Sequence, residues 1–269
     1  SGVCHSDYSV IDGTIPKNYP IVLGHEGAGV VEAVGSQVTT VQPGDHVVLA
    51  FIPQCGKCYY CTIEEPNLCE TSAQTGASML PNGNRPFRLN GEPIYQMTGL
   101  GTMREAAVVH ETSVIPIDPE LPLDKAALVG CGVMTGVGAA INTAKVQAGS
   151  SVAVFGAGGV GLNAIQGAAV AGANQIIAVD MNPLKLAFAQ QFGATHVVNA
   201  SDADPVTSIR ELTGGRGADY TFEAIGNATV IRQAYDSARR GGTVTVIGLA
   251  RPGIDVAIPA AAIPRDEKK

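Results

Sequence analysis

The chain has 269 residues, 45% of them hydrophobic and 15% charged, with 33 glycines, 16 prolines, no tryptophan and a formal charge of −7. This is a globular composition with room for one large or two ordinary domains, and its acidity gives no basic footprint for nucleic acid. No apolar run approaches the length needed to cross a membrane, and the first thirty residues lack a signal-peptide plan; the expectation is a soluble cytoplasmic protein without nucleic-acid or membrane partners.

At the N-terminus, Gly2-Val3-Cys4-His5-Ser6-Asp7 gathers a thiol, an imidazole, a hydroxyl and a carboxylate in one turn. Tyr8 to Tyr19 reads as a loop or short helix closed by Pro16 and Pro20. In the stretch from Ile21 to Val31, His25 and Glu26 stand between glycines that permit close backbone approach. Val30 to Val34 and Asp45 to Phe51 are predicted strands of a compact beta domain.

Cys55, Cys58, Cys61 and Cys69 follow with the spacing Cys-x2-Cys-x2-Cys-x7-Cys, while Cys4 and Cys131 stand alone. Clustering of this kind is not a disulfide framework. Short gaps let neighbouring thiolates face one ion, and four of them fill a tetrahedron with no position open to substrate. The lobe reads as a structural zinc site, with an iron–sulfur cluster or a redox dithiol as the alternatives.

Thr71 to Gly101 is rich in Pro, Gly and Asn and predicts a long loop excursion with a small hairpin, a candidate wall of a substrate cleft. Met103 to Val109 and Ser113 to Ile117 return to strand-like patterns, and Leu123 to Leu128 starts a helix. Cys131 opens a glycine-rich turn that runs to Gly136.

From there strands and helices alternate. The predicted strands are Val152 to Phe155, Ile176 to Val179, His196 to Asn199, Tyr220 to Glu223 and Val244 to Ile247. The predicted helices are Val160 to Ala171, Pro183 to Gln191, Pro205 to Leu212 and Thr229 to Arg239. Such alternation implies a parallel sheet covered by helices on both faces. Between the first strand and the first helix lies Gly156-Ala157-Gly158-Gly159-Val160-Gly161, which fits Gly-x-Gly-x-x-Gly. The second strand ends on Asp180, about 20 residues past Gly161, the spacing of a dinucleotide site. Glycines let the backbone close on a pyrophosphate at a helix N-terminus, and the acid meets the ribose hydroxyls. A carboxylate repels a 2′-phosphate and accepts from a free 2′-hydroxyl, so NAD is preferred to NADP. Lys185 is a further candidate for the ribose or phosphate region.

Taken together, Gly2 to Asp7, Gly24-His25-Glu26-Gly27, Pro53 to Cys58, Cys131-Gly132-Val133 and Gly156 to Gly161 resemble the zinc-dependent medium-chain alcohol dehydrogenases. The resemblance is to the long-loop kind that includes the glutathione-dependent formaldehyde dehydrogenases, and it runs to about Pro252. It implies an α/β protein: a GroES-like beta-rich catalytic domain over 1–131, with the zinc lobe at 55–69, and a Rossmann domain over 132–269. Both ends read as those of a fragment, because Ser1 to Cys4 start directly on chemically interesting residues, Pro264 to Lys269 stop in a charged run, and five strands of a six-stranded cofactor fold are visible.

The same resemblance implies two zinc ions per subunit, the catalytic one held by Cys4, His25 and Cys131. Three protein ligands leave a fourth position for an alcohol. Ser6 then takes the alcohol proton, and Asp7 and Glu26 are acids behind the metal that steer the ligand imidazole or tune its field. His5 corresponds to a pyrophosphate contact. Ser9 stands where many members carry a histidine that ends the proton path. Phe51 and Ile15 match pocket-lining positions, Thr135 and Val160 match residues against the nicotinamide, and Ile225 with Gly226 matches the floor under the adenosine. The expected activity is NAD-dependent interconversion of primary or secondary alcohols with aldehydes or ketones. A formaldehyde-type enzyme acting on a thiol adduct such as S-(hydroxymethyl)glutathione is the near alternative, a non-catalytic zinc- and nucleotide-binding module, as a fragment, is the alternative from a different class, and a nucleic-acid zinc ribbon is a distant third. A homodimer or homotetramer joined near Ile254 to Ile258 is the expected assembly.

Overall fold

The computed structural model describes residues 1–269, which fall into two compact units, Ser1–Cys131 and Gly132–Lys269.

Twelve strands and ten α-helices follow one another along the chain. In the first unit, α1 (His5–Ile11), β1 (Ile21–Val22), β2 (Gly27–Val30), β3 (His46–Leu49), α2 (Tyr59–Thr62) and α3 (Ser72–Gly76) are followed by β4 (Arg88–Leu89), β5 (Glu92–Pro93), β6 (Tyr95–Gln96), β7 (Val114–Pro116) and α4 (Leu123–Leu128). An antiparallel sheet of order β2-β3-β7 forms its beta core, with Val47 and Val48 buried. The excursion from Thr71 to Gly101 contains the hairpin β4–β5, and its β6 pairs in parallel with β1.

Several expectations change here. The strand placed at Val30 to Val34 lies instead at Gly27–Val30, where small residues meet β3 in antiparallel register. Met103 to Val109 is no strand, because no neighbouring segment offers it a hydrogen-bonded ladder. Cys131 to Gly136 is helical rather than a turn: Val129–Val133 forms a π-helical turn leading into α5 (Met134–Gly138). Glycine's weak helix propensity is overridden by packing, since a Cβ on Gly136 would strike the carbonyl of Val160. The whole of Leu123–Thr143 is then one helix of 21 residues, with a mean hydropathy of 1.4 over its most apolar 18-residue stretch, long and apolar enough by length and composition to cross a membrane. That corrects the expectation that no such run exists. Its hydropathy comes from alanine, valine, leucine and isoleucine spread out between glycines and polar residues, so it does not stand out in the sequence.

The second unit continues with β8 (Ser151–Phe155), α6 (Gly159–Val170), β9 (Gln175–Asp180), α7 (Pro183–Gln191), β10 (His196–Asn199), α8 (Pro205–Leu212), β11 (Ala218–Glu223), α9 (Ala228–Ser237), β12 (Ala238–Val246) and α10 (Ala262–Asp266). Helix α9 stops two residues before the expected Arg239, because Ala238 and Arg239 already belong to β12. The sheet order is β10-β9-β8-β11-β12, parallel throughout. Val152 to Phe155 are all essentially buried, as a strand covered on both faces requires. One face packs against Ala164, Ile165, Leu186 and Ala189, the other against Ile209 and Ala234. The chain leaves β8 toward β9 and β10, then returns to β11 on the opposite side of β8. That reversal is the switch point at which open α/β sheets bind ligands, outside the carboxyl ends of the strands.

At the opposite, amino ends of these strands, Asp219 ties β11 to β8 and β12. Its Oδ2 accepts from the Ser151 N–H (2.8 Å) and hydroxyl (2.7 Å), and its Oδ1 from Arg239 Nε (2.6 Å). Burial raises its pKa, but Ser151 and Arg239 outweigh that and hold it below 3.8. A depressed carboxylate contributes stability above its unfolded pKa and loses it as pH falls through the folded value. Asp219→Asn is therefore expected to lose about 1–2 kcal/mol at pH 7 after allowance for solvent screening. The gap to wild type should close below about pH 4, as followed by thermal unfolding across pH.

Candidate metal and dinucleotide sites

Cys4 is the N-cap of α1, and Asp7 at the third helical position closes a capping box: Asp7 Oδ2 accepts from Cys4 N at 3.0 Å. The other carboxylate oxygen accepts from Gly24 N at 2.9 Å and lies 3.4 Å from His25 Nδ1. Asp7, His25 and Glu26 are all buried, at 2%, 3% and 5% exposure. Gly24, at φ +95°, has no room for a Cβ beside Thr102 and the Met103 N–H, so the segment carrying His25 can pass close to its neighbours. With Nδ1 turned to Asp7, the imidazole is left with Nε2 for a ligand.

Cys4, His25, Glu26 and Cys131 each bring one donor atom into a cluster whose members lie within 4.8 Å of one another. Cys131 reaches it from the helical turn after α4. Beside Cys131 the Cys4 thiol falls to about 3, against the effect of burial and with help from His25 and Ser6. Burial disfavours the charged imidazole, yet Asp7 and Cys4 raise His25 to about 9. For Asp7 itself burial works upward, and the bonds from His25, Cys4 and Gly24 win and hold it low. Two thiols of which one is strongly acidified, an imidazole and a carboxylate form a donor set that suits zinc. The cluster also includes Glu26, which sequence reasoning had placed behind the metal rather than among its donors.

Around this cluster, Ser6 Oγ is 3.7 Å from Cys4 Sγ. The Phe51 ring stands edge-on to His25, centroids 5.8 Å apart. Ile15 is half-buried in the loop after α1, where its N–H donates to the Ser9 carbonyl at 2.7 Å. Ser9 Oγ lies 3.3 Å from Nδ1 of the exposed His5, a pairing the sequence did not announce.

The second cluster is Cys55, Cys58, Cys61 and Cys69, again within 4.8 Å of one another. Backbone N–H groups point at its sulfurs, from Cys55 to Cys69 Sγ (3.4 Å) and from Cys58 to Cys55 Sγ (3.3 Å). Burial opposes ionisation of Cys69, but the Thr71 hydroxyl, 3.0 Å away, and the Cys55 N–H bring it down to about 6. No disulfide joins any of the six cysteines. In the loop that follows, the Arg85 guanidinium sits 4.7 Å over the Tyr95 ring, while Arg88 is exposed on β4.

In the second unit, Gly156 to Gly161 turn from β8 into α6. A Cβ on Gly161 would overlap the Gly156 carbonyl oxygen, so strand and helix approach only because it is glycine. Positions 158 and 159 face open space instead. Asp180 Oδ2 accepts from Ala157 N at 2.8 Å and Oδ1 from Asn182 N at 2.9 Å, which places the acid against the turn. Ile225 packs over Gly156 from the loop after β11, and Thr135 adjoins the helix face that meets Val160. Lys185 stands exposed on α7, outside the hydrogen bonds that join Asp180 to the turn.

A beta-rich unit carrying two sulfur-rich donor clusters and a parallel-sheet unit with a glycine turn define a zinc-dependent dehydrogenase architecture. Residues 1–119 match the alcohol dehydrogenase GroES-like domain, and residues 159–269 match the zinc-binding dehydrogenase domain. The S-(hydroxymethyl)glutathione dehydrogenase of Photobacterium damsela subsp. piscicida is 46% identical over 260 residues, 95% of this chain and 70% of that one. An alcohol dehydrogenase zinc-binding domain protein from Burkholderia ambifaria superimposes with a TM-score of 0.94 at 39% identity. Benzyl alcohol dehydrogenase from Acinetobacter calcoaceticus gives 0.92 at 34%, and all of this chain and 73% of each of these two structures are covered. The chain belongs to the zinc-dependent medium-chain alcohol dehydrogenases, a family of oxidoreductases for which zinc and a nicotinamide dinucleotide are the expected cofactors.

Proposed function

We propose that this chain is an NAD-dependent dehydrogenase that converts a primary or secondary alcohol to its aldehyde or ketone, with Cys4, His25 and Cys131 as ligands of a catalytic zinc. The observation that carries the proposal is the meeting of these donors, remote in sequence, within 4.8 Å. Zinc, when bound, would supply a Lewis acid that brings an alcohol hydroxyl's pKa toward neutrality. The chain's own residues do the rest. Asp7 orients the His25 ring through Nδ1, Ser6 Oγ receives the alcohol proton, and the Phe51 ring gives the substrate an apolar neighbour. Glu26 is the carboxylate in reserve at the donor cluster. Cys55, Cys58, Cys61 and Cys69 hold a second zinc that shapes their lobe.

In the second unit Gly156, Gly158, Gly159 and Gly161 receive the dinucleotide pyrophosphate, with Lys185 as a further phosphate contact. Asp180 takes the adenosine ribose. Thr135 and Val160 border the nicotinamide, and Ile225 lies under the adenosine.

Identity to an S-(hydroxymethyl)glutathione dehydrogenase favours a second reading, oxidation of a thiol adduct, for which exposed Arg88 would meet an anionic cosubstrate. Arg85 is less available for that task, being stacked on Tyr95. Parallel assays with ethanol, benzyl alcohol, and formaldehyde plus glutathione separate the two. Two zincs per chain with no NADH formed from any of them would leave only a binding module. Exposed Ile254 and Ile258 are the proposed contact of a dimer or tetramer, which light scattering measures.

Replacing Asp7 by Asn keeps its shape and removes the charge that orients His25. Zinc affinity at the Cys4 cluster or turnover is expected to fall about 10–100-fold, read by competition with a chelator alongside initial rates. Unchanged affinity and rate would remove Asp7 from the site.

A further inference from the structure

Glu223 is fully buried at the carboxyl end of β11, and no part of the chemistry above uses it. Its Oε1 accepts from three successive N–H groups, Ile225 (3.0 Å), Gly226 (2.8 Å) and Asn227 (3.4 Å). Its backbone carbonyl accepts from Ile247 (2.7 Å) and Gly248 (3.0 Å). One residue thus ties the loop after β11 to the loop after β12, both at the end of the sheet where the glycine turn lies. The fit is close: a Cβ on Gly248 would lie 2.7 Å from Glu223 Oε2, and one on Gly226 would collide with the Leu249 carbonyl. Oε2 is itself buried with no hydrogen-bond partner.

Burying a carboxylate is costly, and a loop needing only stability has cheaper apolar solutions. What the loop does is press Ile225 onto the dinucleotide turn, where a Cβ on Gly156 would stand 2.7 Å from Ile225 Cγ1. We propose that Glu223 is a positioning residue for the dinucleotide site, fixing the Ile225–Asn227 loop against Gly156 so that the turn holds its binding shape before the ligand arrives. The inference rests on the dinucleotide reading above. It extends that reading to a group that touches no cofactor and acts through the backbone amides it gathers.

The test is NADH binding, followed by nicotinamide fluorescence, in the full chain and in E223Q and E223A. Glutamine keeps the shape, but its neutral oxygen is a weaker acceptor and its amide nitrogen takes the place of Oε2, where no acceptor waits. The NADH Kd is expected to rise about fivefold in E223Q and about twentyfold or more in E223A, with KM for NAD rising in step. Zinc content, KM for alcohol and kcat at saturating cofactor should stay near wild type. A lowered melting temperature with a Kd within about twofold of wild type in the folded variants would assign Glu223 to stability alone and overturn the proposal. If E223A does not fold, E223Q decides by the same limit. A wild-type chain that binds neither NADH nor NADPH would instead remove the dinucleotide reading, and this inference with it, an outcome recognised by the flat titration of the unmutated protein.

Discussion

Replacement of His25 by alanine is expected to lower alcohol oxidation by at least about 10³-fold and to reduce the zinc content from two equivalents to one. His25 contributes the one imidazole of a cluster otherwise made of two thiols and a carboxylate, and Asp7 holds its ring from behind at 3.4 Å. Without it, Asp7 keeps the N–H groups of Cys4 and Gly24 but loses its partner in the buried pair. The two thiols and the Glu26 carboxylate that remain would bind a metal more weakly and place it poorly without the imidazole. The control is Cys69→Ser, which should also cost one zinc but from the other cluster. Its main expected effect is a lower unfolding temperature, because a four-thiolate site contributes to folding rather than to chemistry. Metal analysis and initial rates on both variants give a crossed pattern. Full activity in the His25 variant would end the catalytic-zinc reading.

How much of this was legible in the sequence depended on how local each feature is. The glycine turn, its strand and helix and Asp180 lie in one βαβ segment, so their spacing alone predicts them, and the structure closes Asp180 onto Ala157 as a single hydrogen bond. Spacing likewise groups Cys55, Cys58, Cys61 and Cys69, whose sulfurs need only one short lobe to meet. Cys4, His25 and Cys131 are different, since no period or spacing links them and only the resemblance set them together. Cys131 was misread as part of a turn because glycine usually breaks helices. Here glycines are used so that helix backbones can touch, a tertiary demand that propensity does not contain. Met103 to Val109 failed for the complementary reason: a strand-like pattern reports a face to bury and says nothing of a partner to pair with. Glu223 carried no signal, being the second of two acids in β11, and its three amide partners appear only when the loop after it is folded.

Asp180→Asn is expected to shift cofactor choice more than any other single change in the second unit. The carboxylate stands at the end of β9, half-buried, with Oδ2 on the Ala157 N–H of the glycine turn and Oδ1 on Asn182 N. A ribose 2′-hydroxyl arriving there can donate to it, whereas a 2′-phosphate brings like charge to within a few ångströms. At about 4 Å and an effective dielectric near 20 that contact amounts to roughly 4 kcal/mol before ionic screening, enough to set preference by itself. Asparagine removes the repulsion and also the charge-assisted bond to the ribose. NAD efficiency should fall about tenfold and the NAD-to-NADP ratio of kcat/KM about 10²-fold. The neighbouring Asn182 should be little disturbed, because its own side chain caps α7 through Leu184 N at 2.9 Å. Measuring kcat/KM for both cofactors in wild type and variant decides the matter: a ratio that moves less than about threefold would transfer cofactor selection to another group, with exposed Lys185 the next to replace.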